Sequence, residues 1–343
     1  MKQLLNTLYV QTQGSYLRLE HDTLKIDVEG KTAAQIPLHH LGGLVVFGNV
    51  LVSPFLLSRC AEYGRGVVWL SRSGRFQARL NGPVMGNVLL RRAQHAVLDH
   101  EAATVAVARA FVAGKLHNAR GVLLRAAREG VPQSAEYDLR SAASAHAVTI
   151  RKLPRLGRLD EVRGAEGDAA RLYFATFDHL IRTRKDAFTF KNRTRRPPLD
   201  PVNALLSFLY SLLRSECASA CEGVGLDPQM GFLHALRPGR PALALDLMEE
   251  LRAPLADRLA LTLINRAQLR PEDFTVRVGG AVTLSDDARK LVLTEYQKRK
   301  QDEVLHPVLK QNVPLGLVPH VQARLLARHL RGDMPSYTPF ILR

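Results

Sequence analysis

The sequence predicts a two-domain α+β protein: a β-rich, sandwich-like domain over residues 1–82, then an all-α domain over residues 83–343. Three observations carry that reading. Short segments with alternating or β-branched residues, separated by Gly, Asp and Asn turns, fill residues 1 to about 80. The character then changes at Asn81-Gly82-Pro83, a linker-like breaker. From there apolar residues recur at helical spacing almost to the end.

Taken in order, Tyr16 to Glu20 (YLRLE), Thr23 to Val28 (TLKIDV) and Gly66 to Leu70 (GVVWL) read as strands. Ser53 and Pro54 open one short helix running from Phe55 to Tyr63. A serine hydroxyl satisfies a free helix N–H, and proline has none to lose. His39 and His40 are neighbours on a predicted strand, so they face opposite sides and make no metal pair. Helix is expected over Val88 to Phe111 and again over Leu116 to Glu129, after Gly114. Residues 130–160 are Ala-rich helix broken by Gly130, Pro132 and Pro154. Glu166 then sits between glycines, in a turn ahead of an aromatic helix beginning at Arg171.

Residues 181–198 read as a loop, and Asp200 with Pro201 opens the clearest helix in the chain. Its stripe is Val202, Leu205, Leu206, Leu209, Leu212 and Leu213, and it closes near Gly223 and Gly225. Asn203, Ser207 and Tyr210 flank that stripe and are ordinary hydrogen-bonding positions that could also face a site. Residues 226–252 place His234 in a glycine-flanked loop and start a helix bearing Asp246, Glu249 and Glu250. The spacing i, i+3, i+4 puts the three acids on one face. A helix over Asp257 to Gln268 follows, then a hairpin around Gly279-Gly280 and a helix pair capped by Ser285. The short apolar tail MPSYTPFILR is expected to dock on the fold.

At 343 residues the chain can bury two substantial cores. Its net charge of +16 points to a polyanionic partner, nucleic acid above all. A membrane surface is the rival, but no 18-residue apolar run occurs and the first residues lack a signal-peptide core, so a cytoplasmic protein is expected. Three cysteines, Cys60, Cys217 and Cys221, form no CxxC pair. Residues 181–198 hold seven Lys/Arg against one acid, with Phe188 and Phe190 interleaved. A solvated basic loop is the plainer reading, but the overall charge favours a phosphate track through Lys191, Arg193, Arg195 and Arg196. Arg237 and Arg240 are placed for further DNA contacts beside His234.

No phosphate-binding loop, dinucleotide fingerprint, GxSxG elbow or HExxH helix occurs. What remains is Glu166 between glycines, His234 in a loop and the acidic helix face. Carboxylates with a single imidazole suit Mg²⁺ or Mn²⁺ better than zinc. In a basic protein such a site acts most naturally on phosphodiesters.

The blocks RGAEGDAARLYF, DPVNALLSFLYSLL, GLDPQMGFLH and GRPALALDLMEELR, in this order, resemble the CRISPR adaptation integrase, the family of CRISPR-associated protein one. The resemblance spans nearly the whole chain. It implies a β-rich dimerisation domain followed by an all-α catalytic domain. It also implies a metal, Mg²⁺ or Mn²⁺, held by Glu166, His234 and Glu249, with Asp246 a neighbour one turn away. The blocks GKLHNARGVLL and YTPFILR look most like the type I-C branch. The implied activity is a metal-dependent DNA endonuclease and integrase. The 3′-hydroxyl of captured foreign DNA attacks a phosphodiester of the repeat array. The implied partners are double-stranded DNA, a second copy of the chain, and a small ferredoxin-like protein, CRISPR-associated protein two. Two other readings compete: a structure-specific repair nuclease, and a non-catalytic DNA-binding adaptor whose acids are structural.

Overall fold

A computed structural model describes residues 6–80, Gly82 and residues 88–342. The expected breaker at 81–83 therefore lies outside the described residues except for Gly82. The described residues form two compact units, 6–80 and Gly82 with 284–298, and 88–283 with 299–342.

The first unit holds strands β1 (Asn6–Val10), β2 (Tyr16–Glu20), β3 (Thr23–Val28), β4 (Lys31–Pro37), β5 (Leu41–Phe47), β6 (Leu51–Val52), β7 (Gly66–Leu70) and β8 (Phe76–Leu80). Helix α1 (Pro54–Glu62) starts where Ser53 Oγ accepts the Leu56 N–H at 3.2 Å. The strands form two four-stranded sheets, ordered β1-β5-β7-β8 and β4-β3-β2-β6. In the first, β5 lies between two parallel partners, which explains its continuous apolar run Leu44 to Phe47. Leu17 and Leu24 from one sheet share a core with Leu44, Val46 and Val67 from the other, and with Leu56 and Cys60 of α1. Each leucine fully buried there contributes roughly 1.5–3 kcal/mol. The sandwich-like expectation holds, with one local correction. His39 and His40 belong to a 3₁₀ turn, not a strand, and both are exposed. Residues 284–298 join this unit although they follow the helical segment. Gln297 donates to the Thr7 carbonyl at 2.8 Å, and Arg72 meets Asp286 at 3.2 Å.

The second unit begins with α2 (Val88–Leu98), α3 (Glu101–Ala127), α4 (Gln133–Lys152) and α5 (Leu159–Ala175). It continues with α6 (Pro201–Val224) and α7 (Ala242–Leu251), then a π-helical turn over Arg252–Asp257 that leads into α8 (Arg258–Asn265). A hairpin of β9 (Phe274–Val276) and β10 (Val282–Leu284) precedes α9 (Asp286–Gln301), whose residues up to Lys298 belong to the first unit. A second hairpin, β11 (Glu303–Leu305) with β12 (Asn312–Pro314), precedes α10 (Val318–Leu330). Helix α3 is the axis, packed by α4, α5 and α7, while α6 packs on α7 and α10.

Two expectations fail here for identifiable reasons, at Gly114 and at Glu166, while α4 lies between its expected breakers. Helix α3 runs unbroken through Gly114, because the glycine answers to space and not to a turn. A Cβ there would lie 2.8 Å from Pro339 Cβ and 2.9 Å from Glu250 Cγ. Helix α4 is one helix, with Pro132 just before it and Pro154 in a 3₁₀ turn just after. Helix α5 begins at Leu159, so Glu166 lies inside a helix and not in a turn. The Asp200 cap holds, its Oδ1 accepting the Asn203 N–H at 2.8 Å, and Gly225 closes α6 at φ +94°. The tail docks as expected. Phe340 is fully buried, and Asn118 of α3 donates to its carbonyl at 2.9 Å.

Candidate metal and catalytic site

Glu166, His234 and Glu249 come from α5, the loop after α6, and α7, and the second unit brings them together. On α5, Gly164 and Gly167 are one turn apart, exposed, and have nothing within 4 Å of a notional Cβ. The helix surface beside Glu166 is therefore bare, and a bulky backbone can approach it.

His234 is held by Asp246, which is fully buried on α7. The Asp246 carboxylate accepts the backbone N–H groups of Phe232 (2.6 Å), Leu233 (3.0 Å) and His234 (2.9 Å). His234 Nδ1 is 2.6 Å from Asp246 Oδ1. Three backbone donors plus the ring offset the desolvation of a buried carboxylate. They also consume its lone pairs, so Asp246 acts through His234. With Nδ1–H given to Asp246, the Nε2 lone pair faces the site, 3.7 Å from Glu249 Oε1. Gly231 lets the loop press on the start of α7, where a Cβ would sit 2.5 Å from the Ala242 carbonyl carbon.

Glu249 is 2 % exposed and surrounded by cations. Arg252 Nη2 lies 2.9 Å from its Oε1, and Lys115 Nζ lies 2.8 Å from its Oε2. The Lys115 ammonium also donates to Glu166 Oε1. Burial opposes ionisation of Glu249, but Arg252, then Lys115, outweigh it and hold the carboxyl below the usual range. Lys115 was not anticipated, although a lysine on the apolar run AFVAGKLHNARGVLL is a signal that it faces something charged. Among the described residues no group of three His, Cys, Asp or Glu closes on one metal position as it stands. The positive charge between Glu166 and Glu249 is Lys115's. The donor set itself, two carboxylates and one oriented imidazole, suits a hard divalent ion. Glu249 Oε2, buried and without a well-directed hydrogen bond, is the atom such an ion would complete.

Glu250 departs from the expectation of a single acidic face. It points away from this cluster, accepting from Tyr337 Oη (2.6 Å), Gln322 Nε2 (2.8 Å) and the Phe340 N–H (2.7 Å). Behind Glu249, the Tyr210 ring lies between the Arg193 and Arg252 guanidiniums, at 5.3 and 5.1 Å. Tyr210 and Tyr173 donate to Asp257 at 2.7 and 3.0 Å, and burial pushes that carboxyl up to about 6. A cavity of about 30 Å³ lies here, lined by Lys115, His146, Tyr173, Tyr210, Glu249, Arg252 and Asp257 among others.

The basic residues divide. Lys191, Arg195, Arg196 and Arg237 are exposed, and Arg240 is partly so. Arg193 turns inward, donating to Asn203 Oδ1 (2.7 Å) and Ser207 Oγ (3.1 Å). Phe188 and Phe190 are core, with Phe190 4.9 Å from Phe177, so they are not bases' stacking partners. Burial lowers the pKa of Arg240, and Arg237, Arg163 and Arg195 push it the same way, so positive charge crowds the loop beside His234. Arg163, also unanticipated, donates from α5 to the Leu233 carbonyl at 2.7 Å and ties the Glu166 helix to the His234 loop.

Known proteins resemble this chain in sequence and in fold. The family model described as CRISPR associated protein Cas1 matches residues 8–298. A CRISPR-associated endonuclease Cas1 from Moorella thermoacetica is 57% identical over 340 residues, 99% of each chain. Among solved structures, a chain of a Cas6-RT-Cas1–Cas2 complex superposes with TM-score 0.83 at 23% identity, covering 99% of this chain and 36% of that one. A casposase bound to its integration product superposes with TM-score 0.83 at 21% identity, covering 97% and 93%.

Proposed function

The chain belongs to the family of CRISPR-associated protein Cas1, an endonuclease and integrase family of CRISPR adaptation, and from that premise we propose how its site works. Glu166, His234 and Glu249 hold one divalent cation, Mg²⁺ or Mn²⁺. When bound there, such an ion supplies Lewis acidity, polarising a phosphoryl oxygen and favouring the ionised form of an attacking hydroxyl. The protein's residues do the rest. Asp246 keeps the His234 ring turned so that Nε2 is presented. Arg252 keeps Glu249 ionised. Arg195, Arg237 and Arg240 hold phosphates at the mouth, with Lys191 and Arg196 further along the track, and Arg193 braces that track from inside. The bare face at Gly164 and Gly167 admits the DNA backbone.

In the reaction, the 3′-oxygen of the captured fragment forms a bond to a repeat phosphorus and loses its proton. The bond from that phosphorus to the repeat's own 3′-oxygen breaks, and that oxygen gains a proton. No high-energy cofactor is consumed, because one phosphodiester replaces another. The observation carrying this reading is the convergence of Glu166, His234 and Glu249 beside clustered arginines.

The partners we propose are double-stranded DNA, a second copy of this chain through the β-rich unit, and CRISPR-associated protein two. The Cas1–Cas2 complex and the casposase on its product, both of this fold, support that choice. No helix among the described residues is long and apolar enough to cross a membrane, and we place the protein in the cytoplasm. We also assign it to type I-C. The two blocks behind that assignment pack on each other, with Asn118 accepting the Leu342 N–H at 2.8 Å. The test is strand transfer of labelled DNA with free 3′ ends into a repeat-bearing plasmid, with and without the partner protein, in each metal. Joined product is expected, and Glu166→Gln should abolish it while DNA affinity survives. Cutting without joining would indicate a repair nuclease. Unchanged activity and binding in the variant would indicate an adaptor.

A further inference from the structure

Glu166 and Glu249 sit on different helices, and the group that joins them is neither an acid nor a histidine. The Lys115 ammonium, projecting from α3, contacts both carboxylates. We propose that Lys115 is an exchangeable counter-ion, holding the two metal-ligand carboxylates together until a divalent cation takes its place. The inference rests on the metal reading above.

The two cations at Glu249 differ in a way that decides which one can leave. Arg252 is built into the π-helical turn and stacks on the Tyr210 ring. A planar guanidinium fixed by stacking and pairing has little freedom to move. Lys115 is a compact charge on a flexible four-carbon stem, with no ring among the described residues stacked on it to fix its place. Its pairing with Glu249 Oε2 lacks a well-directed hydrogen bond. Displaced, it also has somewhere to go. The cavity of about 30 Å³ is lined by Lys115 itself and, on the same wall set, by Asp257, Tyr173 and Tyr210. Two carboxylates that reach the same ammonium repel each other when no cation lies between them. A resident ammonium keeps the ligands in place in the metal-free protein, at the expense of metal affinity.

The experiment measures Mn²⁺ binding to the full chain by the paramagnetic resonance signal of free Mn²⁺, together with thermal melting of the metal-free protein. Lys115→Met should melt lower without metal and bind Mn²⁺ at least about tenfold more tightly, because one competing positive charge is gone. Lys115→Arg, which keeps a cation, should bind Mn²⁺ no more tightly than the unaltered chain. If the unaltered chain binds Mn²⁺ through Glu166 and His234 but Lys115→Met binds it equally or more weakly, the counter-ion proposal is wrong and the metal site stands. If neither binds Mn²⁺, both fall together. Should Lys115→Met fail to fold, Lys115→Gln carries the same expectations.

Discussion

Glu249 and Glu250 are consecutive on α7 and nearly identical in burial, at 2 % and 0 % exposed, yet they live in opposite environments. Glu249 meets Arg252 and Lys115, which outweigh its burial and hold its carboxyl ionised. Glu250 meets only neutral donors, Tyr337, Gln322 and the Phe340 N–H, and burial raises it to about 8 in spite of them. Depth alone therefore does not decide what a buried acid does; the charge of its neighbours does. One side of α7 gathers cations around an ionised acid, and the other clamps the tail.

The sharpest way to break that contrast is a pair of isosteric changes. Glu249→Gln should cut strand transfer by about 100-fold or more while circular dichroism stays native, since removing one electrostatic partner of a phosphoryl-transfer site costs on this order. Glu250→Gln doing the same would erase the distinction. On the clamp side, Phe340→Ala should lower stability by about 3–5 kcal/mol in urea unfolding, the usual cost of emptying a fully buried aromatic position. A loss below about 1 kcal/mol would mean the tail is not held there. Gly114→Ala should cost about 1–3 kcal/mol by forcing α3 away from Pro339 and Glu250. The smallest signal is a slope. With a folded pKa of about 8 against 4.5 for the ordinary group, Glu250 keeps its proton in the folded state after the unfolded chain has lost its own. Its contribution is complete below pH 4.5 and is lost as pH rises through 8. Stability measured across that window should fall by at most about 1.4 kcal/mol per pH unit, and Glu250→Gln should flatten the fall.

Much of this was readable in the chain. Ser53, Asp200 and Ser285 mark helix starts through their own side chains, so their signals are local and they hold. The strands of the first unit follow their alternation for the same reason. Gly114 and the Glu166 segment misled because a glycine looks the same whether it serves a turn, a close approach or an open surface. Only the neighbours, Pro339 and Glu250 in one case and empty space in the other, tell these apart. Lys115, Arg163 and the inward turn of Arg193 depend on partners 51, 70 and 10 residues away, and periodicity carries no information about such pairings. Family resemblance bridged part of that gap, naming three of the residues that converge but not the cations among them.

The π-helical turn at Arg252–Asp257 has a consequence for how this protein can change. A turn that takes in one residue more than the α-helical count sets everything beyond it about 100° out of phase with a continuous helix. The acid face of α7 and the apolar face of α8 are thus in two different rotational settings, joined by the turn that contains Pro254. Single substitutions within it alter one side chain. Deleting one residue would rotate Asp257 and all of α8 away from their partners at once. In this stretch, length is a stricter constraint than composition.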